Sequence, residues 1–118
     1  MLKNNQDKFR GSHEELEIIM KAVEKENISI WNDYVKSLEK KYRDGIINSI
    51  DISLSGINLS ACNINGADLD GADLKYANMQ DTYLCEGQLV TADLRGAILS
   101  NSNLSRSSLI KASNSHFG

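Results

Sequence analysis

From Ile52 onward an apolar residue returns at every fifth position. The series is Leu54, Leu59, Ile64, Leu69, Leu74, Met79, Leu84, Leu89, Leu94, Leu99, Leu104 and Leu109, twelve residues in twelve steps. Two places before each stand Ile52, Ile57, Cys62, Ala67, Ala72, Ala77, Thr82, Gly87, Ala92, Ala97, Ser102 and Ser107, all small after the first two. Between the two series the residue is mostly Asp or Asn, as at Asn58, Asn63, Asp68, Asp73, Asn78, Asp93 and Asn103. On an α-helix a step of five advances about 140° beyond a full turn, so the leucines would scatter round the axis. On a flat strand an odd spacing sends alternate leucines to opposite faces. A chain that turns a corner every five residues brings every leucine to one axis. Four corners give a turn of about 20 residues, with successive turns stacked at roughly 4.8 Å. Four large side chains per turn already fill the interior, which explains the small neighbours.

Composition enters as a warning that this period overrides. The repeat half is rich in Ser, Asn, Asp, Gly and Ala, aromatics make up 6% of the 118 residues, and there is no proline. Without a period such a segment reads as disordered. The net charge of −3 and pI near 5.3 give no basic surface for nucleic acid. The charge sits in the repeat half, with seven acids against four bases, while the leader carries nine of each. No apolar run reaches the length of a membrane helix. The opening MLKNNQDKFRG is polar and reads as a loose arm over residues 1–11, without an export signal, so a cytoplasmic location is expected. The period turns Cys62 inward and Cys85 outward, so two thiols are expected, not a disulfide.

The leader, residues 12–45, reads as a helical cap. Ser12-His-Glu-Glu15 has capping-box spacing ahead of an apolar stripe of Leu16, Ile19, Met20 and Val23, predicting a helix to about Glu26. Ser29 is the expected cap of a second helix with Trp31, Tyr34, Val35, Leu38 and Tyr42 on one stripe, and Gly45 its stop. Neither helix can bury its stripe alone. The open first turn of the repeat is the natural partner, and Ile52 and Ile57 add bulk there.

The tandem pattern A(D/N)LXX, clearest in ADLDGADLKYAN over 67–78, resembles the pentapeptide-repeat proteins. The resemblance covers residues 52–111. It implies an all-β solenoid, a right-handed quadrilateral β-helix of about three coils over 46–118, roughly 14 Å tall. The Trp31-Asn32 pair resembles the short helical leader of some bacterial members. Long members, the quinolone-resistance proteins, mimic duplex DNA and occupy DNA gyrase. Here the acidic column Asp73, Asp93 stands beside a basic column Lys75, Arg95, and the rod is short, so gyrase mimicry is the alternative reading only. Family members often dimerise through the C-terminal coils, so a homodimer closing its last coil around Phe117 is expected.

No catalytic constellation is visible. His13 and His116 lie at opposite ends of the fold. Asp51, Asp68, Asp73 and Asp93 look like a carboxylate cluster, but the resemblance assigns them to a repeat position. No phosphate loop, nucleophile pair or metal spacing occurs, so no cofactor, no metal and no enzymatic activity are expected. The leading reading is a non-enzymatic interaction or scaffold module with a protein partner and neither nucleic acid nor membrane. A self-assembling structural module is a further alternative. Candidate interface residues are Phe117, Val90, Ile110, Ile98 and Tyr83. The glycine at inward position 87 predicts a gap beside Leu84 and Leu89, with a local irregularity.

Overall fold

The computed structural model describes residues 4–109. In the repeat segment the chain returns beside itself every 20 residues. Eight parallel bridges record this, from Ser53 with Asp73 and Asp73 with Asp93 round to Gln88 with Ser108. We call the levels that begin at residues 52, 72 and 92 tiers. The pentads stacked above one another form walls, named here after Ser53, Asn58, Asn63 and Asp68. Each bridge is a single residue pair, not a long strand, because a corner follows almost at once.

The corner has a fixed chemistry. The N–H of each first residue donates to the carbonyl three residues back, as Ile57 to Leu54 at 3.1 Å and Ala72 to Leu69 at 3.1 Å. The fifth residue of every pentad from Gly56 to Arg106 has positive φ, between 57° and 80°. A positive φ at only the third of four residues is the signature of a type II turn. Glycine fills this place at Gly56, Gly66, Gly71 and Gly96, whereas Tyr76, Thr91 and five others adopt it against their own sterics. The fifth position, nearly free in side-chain type, is therefore tightly set in backbone.

The second-position Asn and Asp residues also acquire a reason. Their Oδ1 accepts the N–H of the fourth residue in the same pentad at 3.0–3.2 Å, at Asn58, Asn63, Asp68, Asp73, Asn78, Asp93 and Asn103. Tyr83 and Gln88 cannot do this. There the cap comes from the tier before: Asn65 Oδ1 accepts the N–H of Cys85, and Asp70 Oδ1 that of Val90, both at 2.8 Å.

Inside, Leu54, Leu59, Ile64, Leu69, Leu74, Met79, Leu84, Leu89 and Leu94 are fully buried, Leu99 nearly so, and Leu104 and Leu109 partly. Thr82 is also buried, its hydroxyl donating to the Leu59 carbonyl at 2.7 Å. The gap expected at Gly87 is absent. A Cβ built there would stand 2.5 Å from a Leu84 methyl, so Leu84 occupies the space the glycine leaves. The ladder continues unbroken, with Gln88 N–H on the Ala67 carbonyl at 2.9 Å and Ser108 N–H on the Gly87 carbonyl at 3.0 Å.

Helix α1 spans His13–Glu24 and α2 spans Ser29–Arg43. Ser12 Oγ accepts the Glu15 N–H at 3.3 Å, one half of a capping box. The helix ends in a Schellman arrangement: Asn27 N–H reaches the Ala22 carbonyl, Glu26 N–H that of Val23, and Glu26 sits at φ 52°. Ser29 does not cap α2. Ile28 holds that position without a side-chain bond, and Asn27 Oδ1 accepts the Ser29 N–H at 3.1 Å. Leu16, Ile19, Met20, Val23, Trp31 and Val35 join the core with Ile52, Leu54 and Ile57. Tyr42 stays outside it, 53% exposed.

Residues 4–11, expected as a loose arm, instead lie along the first tier. Phe9 is buried, and the N–H groups of Arg10 and Ser12 donate to the carbonyls of Ser55 and Ser53 at 2.9 and 2.8 Å. Two glycines permit the approach: a Cβ on Gly11 would lie 2.2 Å from the Ser53 oxygen, and one on Gly56 2.1 Å from the Lys8 oxygen.

Candidate functional site

Within the stack each second-position residue donates its N–H to the tier before and receives an N–H on its carbonyl from the same side of the ladder. The first tier has no tier before it, so these groups must find other partners. On the Ser53 wall the N–H goes to Glu15 Oε1 at 2.7 Å and the carbonyl takes the Ser12 N–H at 2.8 Å. Glu15 is itself buried, and its other oxygen accepts the Tyr34 hydroxyl at 2.6 Å. Burial first, and then the Glu15 carboxylate, raise the pKa of Tyr34. The second half of the capping box is thus redirected from the helix to the tier edge.

On the Asn58 wall the Gln6 carboxamide does both jobs, Oε1 accepting at 2.8 Å and Nε2 donating at 2.9 Å. Asn4 Nδ2 adds bonds to the Asn58 and Ser60 carbonyls, both at 3.1 Å. On the Asp68 wall Asn32 Oδ1 accepts the Asp68 N–H at 2.8 Å, Trp31 Nε1 donates to the Asp68 carbonyl at 2.8 Å, and Asn32 Nδ2 reaches the Gly66 carbonyl at 3.0 Å. Burial under α2 raises the pKa of the Asp68 carboxyl.

The Asn63 wall differs. Its second-position N–H and carbonyl, and the Asn65 carbonyl, have no partner among the described residues. The connection between α1 and α2 passes over this wall without bonding to it. It leaves a cleft of about 570 Å³ lined by Val23, Glu26, Asn27, Ile28, Ala61, Asn63, Asn65 and Tyr83. Tyr83 stands at the mouth, 52% exposed, bridged between Asn63 and Asn103. Cys85, a half-exposed thiol, is two residues further along the wall. Cys62 lies inside, its sulfur 3.4 Å from Asn4 Nδ2.

The residues singled out in the sequence are not brought together. Tyr83 lines the Asn63 cleft, half-buried Val90 lies on the Asp68 wall, and Ile98, 50% exposed, lies on the Asn58 wall. Ile110, His116 and Phe117 lie outside the described residues. Tyr76, 70% exposed and packed over Gly96, was not foreseen; with Ile98 it lines a second cleft beside Lys8. The carboxylates do not cluster either. Asp51 lies outside the pentads, accepting the Ser49 hydroxyl at 2.7 Å. Asp73 and Asp93 share Lys75 at 3.4 and 3.9 Å, and Arg95 grips Asp93 through two nitrogens at 2.7 and 2.9 Å. The Arg95 bonds hold the Asp93 pKa down to about 2. Among the described residues no group of three or more His, Cys, Asp or Glu is placed to hold a metal ion. No described helix is long and apolar enough to cross a membrane.

These features define a tandem-repeat protein with a helical cap. A model of pentapeptide repeats matches residues 52–86 and 88–113 in eight copies, just over half the chain, and the protein belongs to the pentapeptide-repeat family. The break in the match falls at Gly87. Among solved structures, a pentapeptide-repeat protein of the cyanobacterium Cyanothece 51142 is 35% identical, with 54% of this chain and 49% of that one covered and a TM-score of 0.49. One from the thylakoid lumen of Arabidopsis thaliana is 30% identical, covering 51% of this chain and 42% of that, with a TM-score of 0.49. A third, from Nostoc Pcc 7120, is 33% identical over 66% of this chain and 73% of that, with a TM-score of 0.32. The chain therefore spans about half the length of the first two. No curated protein sequence matches it.

Proposed function

We propose that the protein is a non-enzymatic interaction module, a right-handed quadrilateral β-helix of about three coils that presents one wall to a protein partner. The observation that carries this reading is the Asn63 wall, where main-chain groups unpaired among the described residues, a cleft and the exposed Tyr83 ring coincide. Surface groups of this kind gain from covering by another chain, while on the other three walls the second-position N–H and carbonyl are already paired. The pairing of Asp73 and Asp93 with Lys75 and Arg95 weighs against a DNA-like acidic rod. The test is photo-crosslinking in the source cells from a benzophenone side chain at Tyr83, with Gln80 on another wall as control. The expected result is discrete protein adducts from Tyr83 and not from Gln80. No adduct from Tyr83, or equal adducts from both, overturns the reading. Inhibition of gyrase supercoiling by the purified protein would favour DNA mimicry instead.

A further inference from the structure

We propose that the Asn63 wall accepts an extended, lysine- or arginine-bearing polypeptide segment, which adds as a strand to the open edge of the first tier. This deepens the interaction reading above and rests on it. The three closed walls show what this edge takes. Each supplies an acceptor 2.7–2.8 Å from a second-position N–H and a donor 2.8–2.9 Å from its carbonyl. The suppliers are main chain or its side-chain imitations: the N–H of Ser12, the carboxamides of Gln6 and Asn32, the indole of Trp31 and the carboxylate of Glu15. Two walls take a further donor on the fourth-position carbonyl, Arg10 N–H at Ser55 and the Asn4 amide at Ser60.

The Asn63 wall offers the same set, one N–H and the carbonyls of Asn63 and Asn65, with none of them met among the described residues. One donor and two acceptors spread along an extended chain match the main chain of a strand, the geometry of β-augmentation. A compact polar ligand would meet only part of the set. Of the described segments of the protein itself, residues 4–12 are bound to the Ser53 and Asn58 walls, and the connection between α1 and α2 lines the cleft without bonding to the edge. The cleft above the edge has room for side chains, and its lining states their character. Val23, Ile28, Ala61 and the Tyr83 ring are apolar surface, and Glu26, at φ 52° just past the end of α1, is the charged residue. A segment crossing this lining gains from an apolar residue facing Ile28 and a Lys or Arg facing Glu26.

The test begins with hydrogen exchange of the free protein. The amide of Asn63 is expected to exchange fast while those of Ser53, Asn58 and Asp68 are slow. Protection of Asn63 in the free protein overturns the proposal, because residues 1–3 or a second copy would then fill the edge. Random heptapeptides displayed on phage are next selected on the wild type, and the enriched peptides are synthesised. Asn63→Pro removes the one N–H, and an unpaired edge N–H is where a strand tolerates proline. It is expected to weaken the peptides by about tenfold, while Asn63→Ala, which keeps the N–H, changes them by less than about threefold. Glu26→Gln is expected to weaken the basic ones. In the wild-type complex the Asn63 amide becomes protected, a readout that stands if Asn63→Pro fails to fold. No enriched peptide, or peptides indifferent to Asn63→Pro that leave the amide fast, overturn strand addition. If Tyr83 still crosslinks a protein in the Asn63→Pro variant, the interaction reading survives and only the strand falls.

Discussion

The repeat segment and its cap are stabilised in opposite ways. In the repeat the framework contacts have copies 20 residues along: the same bridge, the same corner bond, the same buried side chain. In the cap each contact occurs once. Glu15, Gln6, Asn32 and Trp31 each close a different part of the edge, and Gly11 and Gly56 each admit one close approach. Periodicity spreads an error over neighbours that share its role, whereas a singular contact has no substitute. The lesson is that the end of a solenoid is more individual than its middle.

Four substitutions test this contrast. The largest effect is expected inside the stack. Leu74 is fully buried in the middle tier, and Leu74→Ala should cost about 2–5 kcal/mol in denaturant unfolding. A loss well below about 1 kcal/mol would contradict a packed interior. In the cap, Glu15→Ala leaves the Ser53 N–H and the Tyr34 hydroxyl without their acceptor, and should cost about 1–3 kcal/mol. If it costs nothing, the cap is ornamental to stability and the contrast fails. Thr91→Gly works in the other direction. A β-branched residue at φ 57° is strained, and relief less the added freedom of the unfolded chain should stabilise by about 1 kcal/mol. The smallest effect lies on the surface. Asp93 is held near pKa 2 by Arg95, so their pairing contributes stability above about pH 4 that fades as the pH falls toward 2. Arg95→Met should move the Asp93 titration, followed by carbon NMR, up toward the ordinary carboxylate value. An unmoved titration would show that Lys75 and the backbone hold it instead.

What can be read from the sequence is what repeats. The spacing of Leu54 through Leu109 sets the register because twelve copies of one pattern leave few arrangements, and the Asn or Asp before seven of the twelve belongs to the same pattern. The left-handed fifth position left only a trace, because glycine fills just four of its places and Tyr76 or Thr91 conceal the rest. At Gly87 the missing side chain implies a gap, but Leu84 turns into it, and a flexible neighbour's rotamer is not written in the spacing. The closing groups were harder still. Gln6 and Asn4 stand in a polar run indistinguishable from a loose tail until the edge they complement is known. The Asn63 wall is marked by partners that the described residues do not supply at one place, and the repeat pattern carries no sign of it. One signal was present: Asn65 and Asp70 stand 20 residues before Cys85 and Val90, whose own pentads lack the usual Asn or Asp.

Those two cross-tier bonds make the molecule sensitive to length in a way that single substitutions do not show. Asn65 serves Cys85, and Asp70 serves Val90, only at a separation of 20. An insertion or deletion of five residues between them preserves every leucine in the pattern yet rotates all that follows by one corner, setting each side chain against a stranger. Removing or duplicating 20 residues keeps every wall in register. Change in the size of this protein is therefore quantised, and the unit is the whole tier, not the pentad that spells it.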